Sequence, residues 1–342
     1  MAAKLGKVGG PVRLGFIGCG GISKAHALGV LEHKSVVKAV ALCDVNEAAR
    51  KTRNAQLGGG LAEYSAWTDM LAKEKDNLDA VVICLPHHLH KQAIVDACAA
   101  GKHVLCEKPL CMTLAEADAI AAAVEQSGVT YMSAHNQLFL PIVAKMKEAI
   151  EAGKIGRPMF IRSQDCFRAG RTREEWAWRA DLKTQGGGEF IDTGYHPTYR
   201  LFHLAGAKPV ATQATFGRFL CPIEGEDSAS VHVRFANGVI GEIYTSWAMP
   251  LPYGTHQLHV VGDEGEVFGS GGDLYLRPLG WSEPAKAQLP QVNTFVAQME
   301  AFAKCLIEGR RPPHSVEEGR MVLEMILAAT ASAQGWQQTA RK

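Results

Sequence analysis

The fold is decided by Val12-Arg13-Leu14-Gly15-Phe16-Ile17-Gly18-Cys19-Gly20-Gly21-Ile22-Ser23, which is followed by a helix-compatible Lys24-Ala25-His26-Ala27-Leu28. An apolar strand here runs through a glycine turn into a helix. Such a turn places backbone N–H groups and a helix N-terminus against a pyrophosphate. The stretch therefore predicts a dinucleotide-binding unit at the start of the chain.

A carboxylate at the end of the second predicted strand strengthens this prediction, because the glycine motif alone is weak and has Ser23 in its third glycine position. Asp44 follows Gly18 by 26 residues, close to the spacing of a ribose-binding acid. Such a carboxylate accepts hydrogen bonds from the ribose hydroxyls and repels a 2′-phosphate, which favours NAD over NADP. The alternative is a solvated turn residue. Three basic residues lie nearby and weaken the preference: Arg50, Lys51 and Arg53.

The rest of the chain predicts two domains. Residues 12–134 alternate apolar strands with helical segments, as in a parallel sheet covered by helices. From residue 135 onward, strand-like segments follow one another, with a hairpin turn at Asn237-Gly238 and two closing helices. We predict an α/β fold: a Rossmann domain in residues 1–134 and an α+β domain with a mostly antiparallel, open-faced sheet in residues 135–342.

Composition excludes several classes of function. The chain has 342 residues, 47% of them hydrophobic, and a formal net charge of +1, so it has no electrostatic footprint for nucleic acid or an anionic membrane. No apolar run reaches the length of a membrane helix and no signal peptide is evident, which predicts a cytoplasmic protein. Nine scattered cysteines without a C-x-x-C pair predict reduced thiols and no metal site.

Two further motifs carry chemistry. Glu107-Lys108-Pro109 follows an apolar strand at the sheet edge where ligands bind in such folds. The Lys108 ammonium there could hydrogen-bond a substrate hydroxyl and stabilise its developing charge; the alternative is a surface lysine in a turn. Three glycines at positions 186–188 precede Asp192 and His196, which share a face if the segment is helical.

An imidazole of near-neutral pKa is a natural acceptor for the proton of an alcohol under oxidation, so His196 is a candidate base. The alternative is an ion pair on a helix surface. Pro197 disfavours helical conformation at His196, and we expect the helix to begin late or to kink there.

In their order along the chain, these motifs resemble the glucose–fructose oxidoreductase / inositol dehydrogenase / MocA (Gfo/Idh/MocA) family. The resemblance rests on the glycine loop, residues 86–90, residues 100–110, Trp178-Arg179-Ala180-Asp181, and the triple glycine with Asp192 and His196. It implies a homo-oligomer, a dimer or tetramer, whose catalytic residues are Lys108, Asp192 and His196. It implies substrate contacts from Lys108, Arg168, Trp178, Arg179, Asp192 and His196.

The same resemblance implies which residues bind NAD. The implied cofactor-binding residues are Gly18, Gly20, Gly21, Ile22, Asp44, Leu85, Pro86, His90, Glu107, Lys108 and Asn136. His90 takes the family's histidine position, and we expect His87 and His88 to be exposed loop residues. The chain departs from many relatives at Gln137 and Leu138, where those carry arginines.

We therefore expect an NAD-dependent oxidoreductase that moves a hydride between a secondary hydroxyl of a sugar, polyol or sugar derivative and the nicotinamide. One alternative is a glycoside hydrolase or lyase that uses transient oxidation by NAD. The other is a non-catalytic sugar or NAD sensor, against which the intact Lys108, Asp192 and His196 argue.

Four arginines precede the triple glycine and admit two interpretations: Arg168, Arg171, Arg173 and Arg179. The first is a solvated loop. The second is a site for an anionic substituent of the substrate, bound by guanidinium groups.

Overall fold

The computed structural model describes residues 7–339, which form two compact units. The first unit runs to Asn136 and also contains Asn293–Arg320. The second contains Gln137–Val292 and the chain from Met321 onward. Within the described residues, no helix is both long enough and apolar enough to span a membrane.

A six-stranded parallel sheet forms the first unit, with the order β3-β2-β1-β4-β5-β6. This confirms the predicted Rossmann sheet. Its strands are β1 (Val12–Ile17), β2 (Val37–Cys43), β3 (Ala62–Tyr64), β4 (Ala80–Ile83), β5 (His103–Cys106) and β6 (Tyr131–Ser133). Its connecting helices are α1 (Ser23–Glu32), α2 (Glu47–Gln56), α3 (Trp67–Lys73), α4 (His87–Ala99) and α5 (Leu114–Ser127).

An eight-stranded sheet forms the second unit, with the order β14-β13-β12-β11-β7-β10-β9-β8. Only β7 and β10 pair in parallel, which confirms the predicted, mostly antiparallel sheet. The strands are β7 (Pro158–Cys166), β8 (Pro209–Gly217), β9 (Ser228–Phe235), β10 (Ile240–Ser246), β11 (Leu258–Gly262), β12 (Gly265–Ser270), β13 (Asp273–Pro278) and β14 (Ala285–Gln288). The helices are α6 (Pro141–Glu151), α7 (Arg173–Trp176), α8 (Leu182–Gln185), α9 (Glu189–Asp192) and α10 (Tyr195–Ala205). Two helices close the chain: α11 (Thr294–Glu308) and α12 (Val316–Thr339).

Helices α6 and α10 pack against one face of the second sheet. The other face carries ion pairs and aromatic rings: Arg162 lies 2.7 Å from Glu242, His259 lies 2.5 Å from Glu266, and the Phe268 and Tyr275 rings stack at 5.2 Å. This paired polar and aromatic face is the open face that the sequence alternation predicts.

Local signals in the sequence fix several element ends. The Thr113 hydroxyl and the Glu116 carboxylate form a reciprocal capping box at the start of α5. Gly238 adopts φ +88° in the turn between β9 and β10, a conformation that favours glycine. The helix α10 begins at Tyr195, so Pro197 sits in its first turn, where a missing N–H costs no intrahelical bond.

The exposed-loop prediction for His87 and His88 is wrong. Both lie in the first turn of α4, which begins at His87, and the His87 side chain is buried. Pro86 occupies the N-cap with ψ 148°, so the extended backbone favoured around proline ends there and the helix starts directly after it.

The first unit is completed by α11, which packs on α1. A Cβ at Gly29 of α1 would lie 2.6 Å from Met299 Cβ and 3.0 Å from the Phe295 carbonyl oxygen. The close approach of the two helices therefore requires glycine at this position.

Gly29→Ala is expected to destabilise the protein by about 1–3 kcal/mol through overpacking, although alanine is the better helix former elsewhere. Gly335→Ala is the matched control, because nothing lies within 4 Å of a Cβ at this α12 position, and it is expected to leave stability unchanged or to raise it. Urea unfolding of both variants measures the difference. Equal effects of the two substitutions would contradict the packing argument.

Candidate active site

The glycine loop combines one sterically required glycine with an open surface. Gly18 has φ +96°, and a Cβ there would lie 2.3 Å from the Cys84 carbonyl oxygen. Gly20 and Gly21 are exposed, with nothing within 4 Å of a Cβ. A side chain would fill this space, so the loop fits a pyrophosphate approached by backbone N–H groups at the start of α1. Ile22, at the N-cap of α1, is 39% exposed.

Ser23, in place of the third glycine, braces this loop together with Arg53. The Ser23 hydroxyl donates to the Gly20 carbonyl at 2.7 Å, and Arg53 donates to Ser23 Oγ at 2.9 Å and to the Gly20 carbonyl at 3.2 Å. Arg53 is buried, and burial lowers its pKa. No local signal in the sequence joins Arg53 to a loop thirty residues away, and sequence reasoning missed this brace.

Asp44 closes the other side of the loop. Its carboxylate accepts from the Cys19 N–H at 2.7 Å and from the Asn46 N–H at 2.8 Å. The three nearby cations all have partners within the protein: Arg50 with the Asp44 carbonyl and Glu63, Lys51 with Glu47, and Arg53 as above. Because these three cations already have partners, they attract a 2′-phosphate less strongly, and the preference for NAD over NADP is weakened less than the sequence suggests.

Two buried histidines hold the Glu107-Lys108-Pro109 segment. His26 of α1 donates from Nε2 to Glu107 Oε1 at 2.8 Å. His90 of α4 lies with Nδ1 2.7 Å from the Pro109 carbonyl and with Nε2 2.9 Å from the Leu85 carbonyl, and burial lowers its pKa. These contacts fix the backbone on both sides of Lys108.

The remaining predicted cofactor residues of the first unit have ordinary surroundings. Leu85 and Pro86 are half-buried between β4 and α4. Asn136 is buried, and its side-chain amide donates to Thr294 Oγ1 at 2.9 Å. The structure therefore gives Asn136 a structural partner within the first unit.

In the second unit, Asp192 pairs with Arg179. The Arg179 Nε donates to Asp192 Oδ2 at 2.6 Å, and its guanidinium lies 4.2 Å from the centroid of the Trp178 ring. Arg179 is about one-third exposed, whereas Asp192 is buried. Ala177, just before these residues, has φ +50°, the one positive φ at a non-glycine residue among those described. Such strain is typical of functional segments.

His196 follows Asp192 by one turn and contacts a tyrosine. Its Nδ1 lies 2.6 Å from the Tyr199 hydroxyl, which accepts from the Gln137 N–H at 3.1 Å. The Gln137 side chain accepts from Arg200 at 2.7 Å. Sequence reasoning missed Tyr199 and Gln137, although the spacing of three residues between His196 and Tyr199 places both on one helix face.

The other three arginines before the triple glycine are exposed or contact residues other than Asp192. Arg168 is exposed. Arg171 lies over the Trp176 ring at 5.1 Å, and Arg173 pairs with Asp181 at 2.5 Å. The cluster is therefore divided: Arg179 contacts a predicted catalytic residue, and Arg171 and Arg173 brace their own loop.

Glu189, which follows the triple glycine, is a buried carboxylic acid. The Thr245 hydroxyl lies 2.9 Å from the Asp165 carbonyl and 2.5 Å from Glu189 Oε1. The Thr245 hydroxyl has one proton and can donate it to only one of these two acceptors. When the hydroxyl donates to the Asp165 carbonyl, the Glu189 carboxyl must be protonated and donate to the Thr245 oxygen. Burial raises the pKa of Glu189 well above its ordinary value, and the charges of Glu226, Asp165 and Asp192 raise it further.

Glu189→Gln is expected to match the wild type near pH 4 and to be more stable at pH 8. Between its unfolded and its raised folded pKa, Glu189 holds a proton that the unfolded chain has lost, so wild-type stability falls as pH rises, by roughly 1.4 kcal/mol per pH unit. Urea unfolding across pH measures this, with the exposed Glu174→Gln as control. A stability difference between Glu189→Gln and the wild type that does not change between pH 4 and pH 8 would contradict the raised pKa of Glu189.

Comparison with known proteins agrees with this organisation. The model for the NAD-binding Rossmann fold of the Gfo/Idh/MocA oxidoreductase family matches residues 12–135, and the model for the GFO/IDH/MocA C-terminal domain matches residues 143–268. The NAD⁺-dependent scyllo-inositol 2-dehydrogenase of Bacillus subtilis is 27% identical over 336 residues, 94% of each chain.

Two further relatives cover similar lengths. The 1,5-anhydro-D-fructose reductase of Ensifer adhaerens is 28% identical over 331 residues, 94% of this chain and 96% of its own. The crystal structure of an oxidoreductase from Thermotoga maritima superposes with a TM-score of 0.84 at 25% identity, covering 94% of this chain and 96% of that chain. With both of its domains matched by family models, the chain belongs to the Gfo/Idh/MocA family of oxidoreductases and carries that family's NAD-binding Rossmann domain.

Proposed function

We propose that the protein is an NAD-dependent dehydrogenase that oxidises a secondary hydroxyl of a sugar, polyol or sugar derivative. The observation that carries the proposal is the Asp192 and His196 pair, in a chain that has the family's glycine loop and Glu107-Lys108-Pro109. Asp192 is the buried last residue of α9, and His196 lies in the first turn of α10, which follows it. The names of the relatives, which act on an inositol and an anhydro sugar, support the substrate class.

The chain's own groups divide the work of alcohol oxidation. His196 takes the hydroxyl proton as general base, and the Asp192 carboxylate, four residues earlier in the chain, balances the positive charge of the resulting imidazolium. Lys108 donates a hydrogen bond to the hydroxyl oxygen and stabilises its developing negative charge. NAD, when bound, supplies the hydride acceptor. The structure supports Lys108 in this role by fixing Glu107 and Pro109 on either side of it.

The cofactor side of the reaction falls to residues 1–134 and the substrate side to residues 135–342 in this proposal. Gly18, Gly20, Gly21 and Ile22 receive the pyrophosphate, and Asp44 receives the adenosine ribose. Leu85, Pro86 and His90 line the nicotinamide ribose, with Glu107, Lys108 and Asn136 beside them. Trp178, Arg179 and Arg168 contact the substrate beyond its reacting carbon.

We also propose that the protein acts as a homo-oligomer, a dimer or tetramer, in the cytoplasm. The open face of the second sheet supports association, since its aromatic rings and paired charges offer a flat surface for a second copy. All nine cysteines are free, as expected of a reducing compartment.

The test of the proposed reaction is NADH absorbance with purified protein, NAD and a panel of cyclic polyols, aldoses, anhydro sugars, uronates and sulfonated sugars, with product masses followed in parallel. One substrate is expected to give NADH in equal amount to a product two hydrogens lighter. Bond cleavage without net NADH would place the protein among NAD-using hydrolases or lyases. No turnover with NAD still bound would favour a sensor.

His196→Ala is expected to lower kcat about 10²–10⁴-fold, because general acid–base catalysis contributes this much, while NAD binding is retained. His203→Ala is the matched control, a half-buried histidine on the same helix, and should keep most of the turnover. Steady-state kinetics and NAD fluorescence titration measure both. Wild-type kcat in His196→Ala would remove His196 from the base role.

Asp44→Asn is expected to weaken NAD binding roughly tenfold, as for the loss of a charged hydrogen-bond acceptor, and to improve NADP binding because the repulsion of a 2′-phosphate is gone. The amide oxygen can still accept from the Cys19 N–H, which retains that contact of the glycine loop, whereas the Asn46 N–H loses its acceptor. Glu125→Gln, which changes an exposed carboxylate on α5, is the control. Unchanged relative affinities for the two cofactors would show that Asp44 does not read the ribose.

A further inference from the structure

We propose that Tyr199 is a positioning residue that holds His196 in the tautomer with its proton on Nδ1. The other ring nitrogen, Nε2, is then the one that takes the substrate's proton. This inference rests on the proposed function, in which His196 is the general base, and it adds a residue that the family motif does not contain.

The geometry joins the two side chains directly. His196 Nδ1 and the Tyr199 hydroxyl are 2.6 Å apart, and their rings meet edge to face at 83° with centroids 5.5 Å apart. Both lie on α10, three residues apart, so the helix itself sets their separation. Tyr199 is only 2% exposed, which keeps this hydrogen bond away from bulk water.

The Tyr199 oxygen is itself fixed from outside the helix. The Gln137 N–H donates to it at 3.1 Å. The side chain of the same residue accepts from the buried Arg200 at 2.7 Å, and Arg200 also donates to the Gln164 carbonyl at 2.9 Å. Gln137 therefore forms hydrogen bonds with two consecutive residues of α10, with Tyr199 through its backbone N–H and with Arg200 through its side-chain oxygen.

A phenol oxygen has two lone pairs, so Tyr199 can accept from Gln137 and from His196 Nδ1–H together. The hydrogen bond at one ring nitrogen decides which nitrogen is protonated. With the proton on Nδ1, the neutral imidazole presents the lone pair of Nε2 to a substrate hydroxyl.

Proton transfer balances in this arrangement. The hydroxyl proton of the substrate moves to Nε2, and the imidazolium that forms keeps its Nδ1–H bonded to the Tyr199 oxygen. No proton leaves through Tyr199. In the reverse orientation, Tyr199 would donate to Nδ1, Nε2 would already carry a proton, and His196 could not act as base from that nitrogen.

The experiment is ¹⁵N NMR of the full-length protein labelled in histidine, recorded well above the ordinary histidine pKa of about 6.5. The His196 signals are assigned by their loss in His196→Gln. The wild type is expected to show the Nδ1–H tautomer. Tyr199→Phe should shift His196 toward Nε2–H, the form that free imidazole side chains favour. Tyr244→Phe is the matched control, since Tyr244 lies on β10 and its hydroxyl contacts Met249.

Kinetics with the substrate found in the panel provide the second readout. Tyr199→Phe is expected to lower kcat about tenfold with KM and NAD affinity nearly unchanged, because the wrong tautomer fails in the chemical step and not in binding. A wild-type spectrum with Nε2–H, or a Tyr199→Phe variant with unchanged tautomer and kcat, would overturn the proposal. If His196→Ala alone keeps wild-type kcat, the base assignment fails instead, and the NMR result still decides whether Tyr199 sets the tautomer.

Discussion

The hydrogen bond between His26 and Glu107 is the constraint on which the first unit's site depends. His26 lies fully buried on α1, the helix that begins after the glycine loop, and Glu107 directly follows β5 and precedes Lys108. Because α1 and β5 lie far apart in sequence, this one contact couples the backbone that fits a pyrophosphate to the backbone that carries the candidate catalytic lysine. His90 completes the restraint from α4 through the Pro109 carbonyl. A long, flexible side chain such as Lys108 is most useful when its backbone cannot move.

In the second unit, the candidate catalytic side chains are themselves held by an ion pair and a hydrogen bond. Asp192 is buried and forms an ion pair with the Arg179 guanidinium, and His196 forms a hydrogen bond with the Tyr199 hydroxyl. Each candidate catalytic group therefore has a partner that limits its orientation. Nearby, Glu189 is buried, and burial raises its pKa well above the ordinary value.

The sequence was sufficient to predict the type of each sheet, parallel in the first unit and mostly antiparallel in the second, because strand alternation, the Asn237-Gly238 turn and the Thr113 capping box are local signals. Its motifs also identified the candidate catalytic residues Lys108, Asp192 and His196. The partners of those residues were not predictable, since His26, Arg53 and Gln137 act over long sequence separations and resemble ordinary helix or loop residues. The wrong prediction of an exposed loop at His87 has a local cause. A proline next to several histidines is typical of a loop, but Pro86 here is the N-cap of α4. Strands β13 and β14 lack such a signal, because they are short and their residues are half-buried or exposed without alternation.

Transfer of a deuterium atom tests the central claim most directly. A substrate deuterated at its carbinol carbon is incubated with the protein and NAD, and the reduced cofactor is isolated for mass spectrometry. Direct hydride transfer from that carbon predicts that the NADH carries the deuterium and that turnover slows relative to the unlabelled substrate. Unlabelled NADH, or deuterium returned to a product whose glycosidic bond has broken, would contradict a net dehydrogenase.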